Sequence, residues 1–181
     1  MRSIIFLITC VMLYSLGMIL GCSDDDKSTN GNGNGVVLAD SVWVADVDVN
    51  EGEQAKVDIN FSNEVQLIRV EVPVKITGTG FSIDSASFVG SRCPTEFLQL
   101  AQLDTLNKTV RLVWNGGPSL APGSGLLASL YLSTEVGSSG EVLSIDSVTI
   151  GSGASAYYLY FINTGGTILS PGFSGGSVSI N

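Results

Sequence analysis

The clearest pattern in this chain is a strict two-residue alternation. Ala55, Val57, Ile59 and Phe61 interleave with Gln54, Lys56, Asp58 and Asn60, so an extended backbone puts the apolar set on one face and the polar set on the other. After Ser62-Asn63-Glu64 the period resumes. Ile68, Val70, Val72, Val74 and Ile76 are predicted to point inward, and Arg69, Glu71, Pro73 and Lys75 outward. The two segments therefore predict paired strands with one buried and one wet face. The mixed charges of Lys56/Asp58 and Arg69/Glu71/Lys75 suit cross-strand pairing on that wet face. Pro73 lacks an N–H, which predicts a free edge or a bulge near it.

Further strand candidates lie at 37–49, 81–89, 97–103, 109–114, 126–133, 142–150, 157–162 and 173–180. Gly-Thr-Gly, Asn-Gly-Gly-Pro, Pro-Gly-Ser-Gly and Thr-Gly-Gly punctuate the segments as turns. Only residues 96–106 also admit a short helix. About nine to ten antiparallel strands without helices predict an all-β fold, a jelly-roll β-sandwich over residues 36–181.

The N-terminal 35 residues follow other rules. An uncharged apolar run from Ile4 to Leu20 ends at Ile19-Leu20-Gly21-Cys22. This resembles the lipobox of bacterial lipoproteins, with Ile where Leu is commoner. The resemblance implies a signal peptide over residues 1–21 and lipid attachment, through palmitate-type acyl chains, at Cys22. At about 1.5 Å per residue the run spans roughly 25 Å, so an uncleaved membrane anchor is the alternative. Residues 22–35, rich in Asp, Gly and Asn, read as a flexible tether. Ser23 after the Cys fits delivery to the cell outer membrane. The Ser-Asp-Asp-Asp run resembles a surface-export signal and equally suits a solvated spacer.

Charge and cysteine content narrow the function. The chain has 8 Lys and Arg against 17 Asp and Glu, a net charge of −9. Loss of residues 1–21 removes only Arg2 and leaves −10. Nucleic acid and anionic lipid surfaces, which need positive potential, are disfavoured as partners. Of 3 Cys, only Cys93 would remain beside the lipidated Cys22, so no intramolecular disulfide is expected. With 0 His in the chain, Cys93 has no imidazole to activate it and reads as structural.

Several segments resemble cohesin-like domains, the jelly-roll sandwiches related to carbohydrate-binding modules. They are the opening strand Val42–Val47, the Val57–Asn63 strand, the long Val65–Val74 strand, the Leu120–Leu132 segment and the closing Gly175–Ile180 strand. The resemblance covers residues 38–181. It implies a non-catalytic module that binds an extracellular protein or a glycan. Residues 75–80 depart from the family's Tyr/Phe-Asp-Pro-like turn, and there is no dockerin-like calcium repeat. A structural or assembly lipoprotein on the periplasmic face of the outer membrane is the alternative reading.

Candidate sites are few. No cofactor is expected, and calcium is the one ion left open: Asp46-Val47-Asp48-Val49-Asn50-Glu51-Gly52 superficially resembles a calcium loop, although its alternating Val residues read as a strand entering a turn, and Val57 stands where a twelfth-position Glu belongs. Tyr157, Tyr158 and Tyr160 put aromatics on both faces of one strand, either as core or as a ligand platform. Trp114 shares a face with Val110 and Leu112 and reads as core, whereas Val42 and Val44 leave the facing of Trp43 open. Asp84, Asp104 and Asp146 are the scattered carboxylates from which a glycosidase pair would have to come. No His, Ser-centred elbow or phosphate loop accompanies them, and no enzyme activity is expected.

Overall fold

A computed structural model describes residues 40–181. The signal segment 1–21, the lipid attachment at Cys22 and the tether 22–35 lie outside the described residues. The alternating segments form strands β1 (Ser41–Val44), β2 (Val47–Val49), β3 (Gln54–Asn63), β4 (Leu67–Thr77), β5 (Phe81–Ser87), β6 (Leu98–Asp104) and β7 (Thr109–Leu120). They continue with β8 (Gly123–Thr134), β9 (Val142–Ser147), β10 (Tyr160–Asn163), β11 (Ile168–Leu169), β12 (Gly172–Ser174) and β13 (Gly176–Ile180). One helical turn, at Gly153–Ser155, is the only helix among the described residues. Residues 96–106, where a helix was admissible, contain β6 instead.

The strands form an all-β sandwich. One sheet has the order β12-β1-β3-β8-β5. The other runs β11-β10-β4-β9-β13-β2, with β7 pairing β4 and β6 pairing β7. Inward residues of both sheets interdigitate. Ala55, Val57, Ile59 and Phe61 meet Val70, Val72, Val74, Ile76, Leu112 and Trp114 in one core. Phe61 and Phe161 pack edge to face with ring centroids 5.9 Å apart. Trp114 is fully buried, and its indole Nε1 donates to the Pro94 carbonyl at 3.3 Å. Trp43 points away from the core, between the buried Val42 and Val44.

The single strands expected at 37–49 and 173–180 are each divided in two, because the first and last described segments change sheets. β1 and β12 belong to the five-stranded sheet, while β2 and β13 belong to the other. Asp46, at the first crossing, accepts hydrogen bonds from the N–H and Oγ of Ser177, beyond the second. A Cβ at Gly176 would lie 2.7 Å from the Val44 carbonyl oxygen, so only glycine lets the crossings pass so closely. β1 pairs β12, and β2 pairs β13, in parallel. The antiparallel rule expected for every pair fails at these two.

Two smaller departures have local causes. Ladder register slips between Leu67 and Arg69, so Leu67 takes the core position expected of Ile68. Pro73 lies in a central strand, not at an edge. Its carbonyl accepts from the Val148 N–H, and in a strand the N–H of the same residue points that way. β10 covers β4 up to Glu71, and β9 takes over from Val74. The missing donor therefore falls at a change of partner strand.

Candidate functional site

The outer face of the eight-stranded sheet brings the three tyrosines together with residues that the alternation placed on a wet face. Register aligns Tyr160, Glu71, Val113 and Leu100 in one row across β10, β4, β7 and β6. The flanking rows are Ile162–Arg69–Asn115–Leu98 and Pro73–Arg111–Gln102. Facing outward in β4 does not keep Glu71 or Pro73 wet: both are buried, and the Glu71 side chain has 0% exposure.

Glu71 is the hub of this face. Its Oε2 accepts from Arg69 Nη2 at 2.6 Å and from the Tyr160 hydroxyl at 2.8 Å, and its Oε1 accepts from Arg111 Nε at 2.8 Å. Burial pushes the carboxyl pKa up, but the hydrogen bonds from Arg111, Arg69 and Tyr160 and the charge of Arg111 outweigh it, leaving it below the ordinary value. Burial and the adjacent Glu71 push the Tyr160 hydroxyl up to about 12, so it stays a donor at any physiological pH.

The guanidinium groups in turn hold the rings. Arg111 lies 3.6 Å from the Tyr157 ring centroid, and Arg69 lies 5.5 Å from that of Tyr160. The Tyr158 and Tyr160 rings are 5.1 Å apart and tilted by 47°. Tyr157 is fixed through its backbone, which exchanges both hydrogen bonds with Ile150 at 2.8 Å. Tyr157 and Tyr158 remain 38% and 44% exposed. Between the choices of core and platform, Leu159 and Phe161 turn to the core, Tyr157 and Tyr158 face solvent, and Tyr160 is half-buried against Glu71; only Tyr160 lies in β10, so the three do not share one strand as expected. Beside them lies a depression of about 270 Å³ bordered by Lys75, Asp104, Asn107, Thr109 and Val148–Gly151.

The Glu71 hub is the part of the site that sequence reasoning missed. Arg69 and Glu71, two residues apart on one strand face, were its only sequence signal. That Arg111 and Tyr160 converge on them depends on strand order. The other candidates are placed elsewhere. Asp46 caps Ser177, and Glu51 Oε2 accepts from the N–H groups of Gly137 and Ser139. Among the described residues no group of three or more His, Cys, Asp or Glu could hold a metal, and Val47–Val49 is a strand entering a turn.

Asp84 lies in the five-stranded sheet, while Asp104 and Asp146 lie in the other. Hydrogen bonds from Ser133 and Gln54 lower the Asp84 pKa, and those from the Asn107 side chain and backbone lower that of Asp104. A glycosidase acid needs the opposite shift. Cys93 is buried in the core, and burial pushes its thiol up to about 11.

Comparison with solved structures identifies the architecture. The seventh ScaB type I cohesin from Pseudobacteroides cellulosolvens superposes with a TM-score of 0.65 at 13% identity, over 78% of this chain and 92% of that one. The OlpA type I cohesin–dockerin complex from Clostridium thermocellum matches with a TM-score of 0.66 at 9% identity, over 79% of this chain and 99% of the other. A non-cellulosomal cohesin from the hyperthermophilic archaeon Archaeoglobus fulgidus gives a TM-score of 0.62 at 9% identity, over 78% and 91%. No family model matches the sequence, and no curated protein does. At such identities the matches establish a cohesin-like fold.

Proposed function

We propose that this chain is a non-catalytic, lipid-anchored envelope module that binds a protein partner through the outer face of β10, β4, β7 and β6. The observation that carries this reading is the set of exposed Tyr157 and Tyr158, just before β10, and Leu98 and Leu100 on β6, all around the Glu71–Arg69–Arg111 hub. Tyr and Arg side chains dominate the binding energy of protein interfaces, and preorganised ones lose little entropy on docking. Similarity to cohesins, one of them solved with a dockerin, adds weight to a protein partner. A flat polysaccharide platform is less well served: Arg111 already covers one side of Tyr157, and the neighbouring rings are tilted. Low carboxyl pKa values at Asp84 and Asp104 favour a non-catalytic role. Attachment through Cys22 at the outer membrane completes the proposal.

Cross-linking on intact cells with the full chain, followed by mass spectrometry, tests the binding face. Tyr157→Ala with Tyr158→Ala abolishes a partner adduct that Tyr131→Ala, in the five-stranded sheet, retains. Equal adducts from both variants overturn the face, and capture of polysaccharide instead of protein overturns the partner class. Cys22→Ala moves the chain out of the membrane fraction; retention there, unprocessed, indicates an uncleaved anchor. Protection from protease added to intact cells favours an assembly role on the periplasmic side over surface display.

A further inference from the structure

The Glu71 hub is electrically unbalanced. Two guanidinium groups, Arg69 and Arg111, share one carboxylate, so a part-buried cluster keeps one positive charge that nothing neutralises. Each guanidinium carries five N–H donors. Among the described residues only Arg69 Nη2 and Arg111 Nε find an acceptor, both on Glu71, and Arg69 Nε is buried without one. A buried unpaired donor and an uncompensated charge both cost stability, and the packing of the domain does not require either.

The surroundings keep the chain's own acids away from these donors. Asn115 stands opposite Arg69 and Gln102 opposite Arg111, both uncharged. No charged side chain occurs from Phe97 to Leu103, or from Ser147 to Asn181, the stretch that carries the tyrosines. Asp104 is committed to its turn, accepting from the N–H groups of Leu106 and Asn107 and from the Asn107 amide. Asp146, opposite Lys75 in the β4–β9 ladder, leans instead toward Gly175, where an added Cβ would lie 2.5 Å from its Oδ1. Exposed Lys75 therefore has no ion-pair partner among the described residues, and it is the diagonal neighbour of Arg111, about 7–8 Å away. In a chain of net charge −9, this face leaves cations open.

We infer, on the basis of the binding face proposed above, that the protein partner presents an acidic segment to this hub, with an Asp or Glu carboxylate seated on Arg111 and within reach of Lys75. The two oxygens of a carboxylate match the free Nη1 and Nη2 of Arg111 as a fork, and its charge balances the hub. Glu71 and the Tyr157 ring already hold that guanidinium, so little order is lost on docking. Repulsion between an acidic partner and the rest of the chain is screened beyond about 8–10 Å at physiological salt, so the hub acts at contact. It selects one or two carboxylates rather than an extended polyanion, whose further charges would meet the chain's own.

Gln102 tests the charge without disturbing the hub. It is exposed and lies opposite Arg111, so Gln102→Glu puts a carboxylate where the partner's belongs, and Gln102→Lys adds a cation beside it. The partner adduct of the full chain on intact cells falls about tenfold in Gln102→Glu and is retained or raised in Gln102→Lys. Equal losses in both variants, or a loss with Lys alone, overturn the proposal. Nuclear magnetic resonance of the full chain in neutral detergent reads the same site without the partner. The Nε–H resonances of Arg69 and Arg111 shift on titration with a blocked Glu-Leu-Glu tripeptide, not with Gln-Leu-Gln, and Gln102→Glu abolishes the response. An equal response to both peptides, or to neither, overturns the carboxylate site. A captured protein partner indifferent to both Gln102 variants overturns the acidic segment and leaves the binding face standing. A tripeptide response with no protein captured supports the carboxylate site and overturns the protein-binding reading instead.

Discussion

Replacing Glu71 by Gln tests whether the hub organises the outer face. The substitution keeps volume and one acceptor but removes the charge that Arg69, Arg111 and Tyr160 share at 2.6–2.8 Å. Hydrogen bonds to charged groups contribute about 1.5–3 kcal/mol each, and removing one member of a buried ion pair costs about 3–5 kcal/mol. Arg69 and Arg111 are 28% and 12% exposed, so both can recover part of their hydration when the carboxylate is lost. The expected destabilisation is therefore about 2–4 kcal/mol, or roughly 10 °C in Tm for a domain of this size. Urea unfolding followed by tryptophan fluorescence measures it, with the midpoint lowered and the slope unchanged.

The pH dependence carries the sign. The folded-state pKa of Glu71 is depressed, so its contribution is fully present above the ordinary Glu value of about 4.3 and disappears as pH falls through the folded value. Wild-type stability thus declines on acidification in that window, and Glu71→Gln flattens the decline. A loss below about 1 kcal/mol, or an unchanged acid profile, refutes the hub. Coupling to Arg111→Met in a double-mutant cycle separates the pair from general damage.

Two further predictions concern the core. Trp114→Ala empties the largest fully buried side chain and leaves the Pro94 carbonyl without its donor, so the loss is about 3–5 kcal/mol by thermal unfolding. A loss under about 1 kcal/mol contradicts the packing. With its thiol pushed up to about 11 and its side chain buried, Cys93 resists a thiol reagent at neutral pH until denaturant is added. Rapid native labelling contradicts this burial.

The alternation at Ala55–Phe61 and Val70–Ile76 was legible because it is a local property. A period of two places every second side chain on one face whatever strand lies alongside. Trp114 followed the same logic through Val110 and Leu112. The β-sandwich was legible from glycine-punctuated strands and its cohesin-like character from resemblance alone, and solved cohesins share the fold. Division of the first and last strands was not legible. The crossing after Val44 depends on Gly176, more than a hundred residues later, which lies too close to the Val44 carbonyl for any Cβ.

Sequence alone thus determined that the chain is a β-sandwich, which residues fill most of its core, and that Tyr157, Tyr158 and Tyr160 were worth following. Tertiary structure decided that Tyr157 and Tyr158 face solvent while Tyr160 is half-buried, that Leu67 displaces Ile68, and that a nominally outward Glu71 is buried beneath two arginines and a tyrosine. The division has a physical reason. Which face a residue takes is set by its own backbone, but whether that face is wet depends on what strands from distant parts of the chain bring to it. For Glu71 those are Arg111, 40 residues away, and Tyr160, 89 residues away.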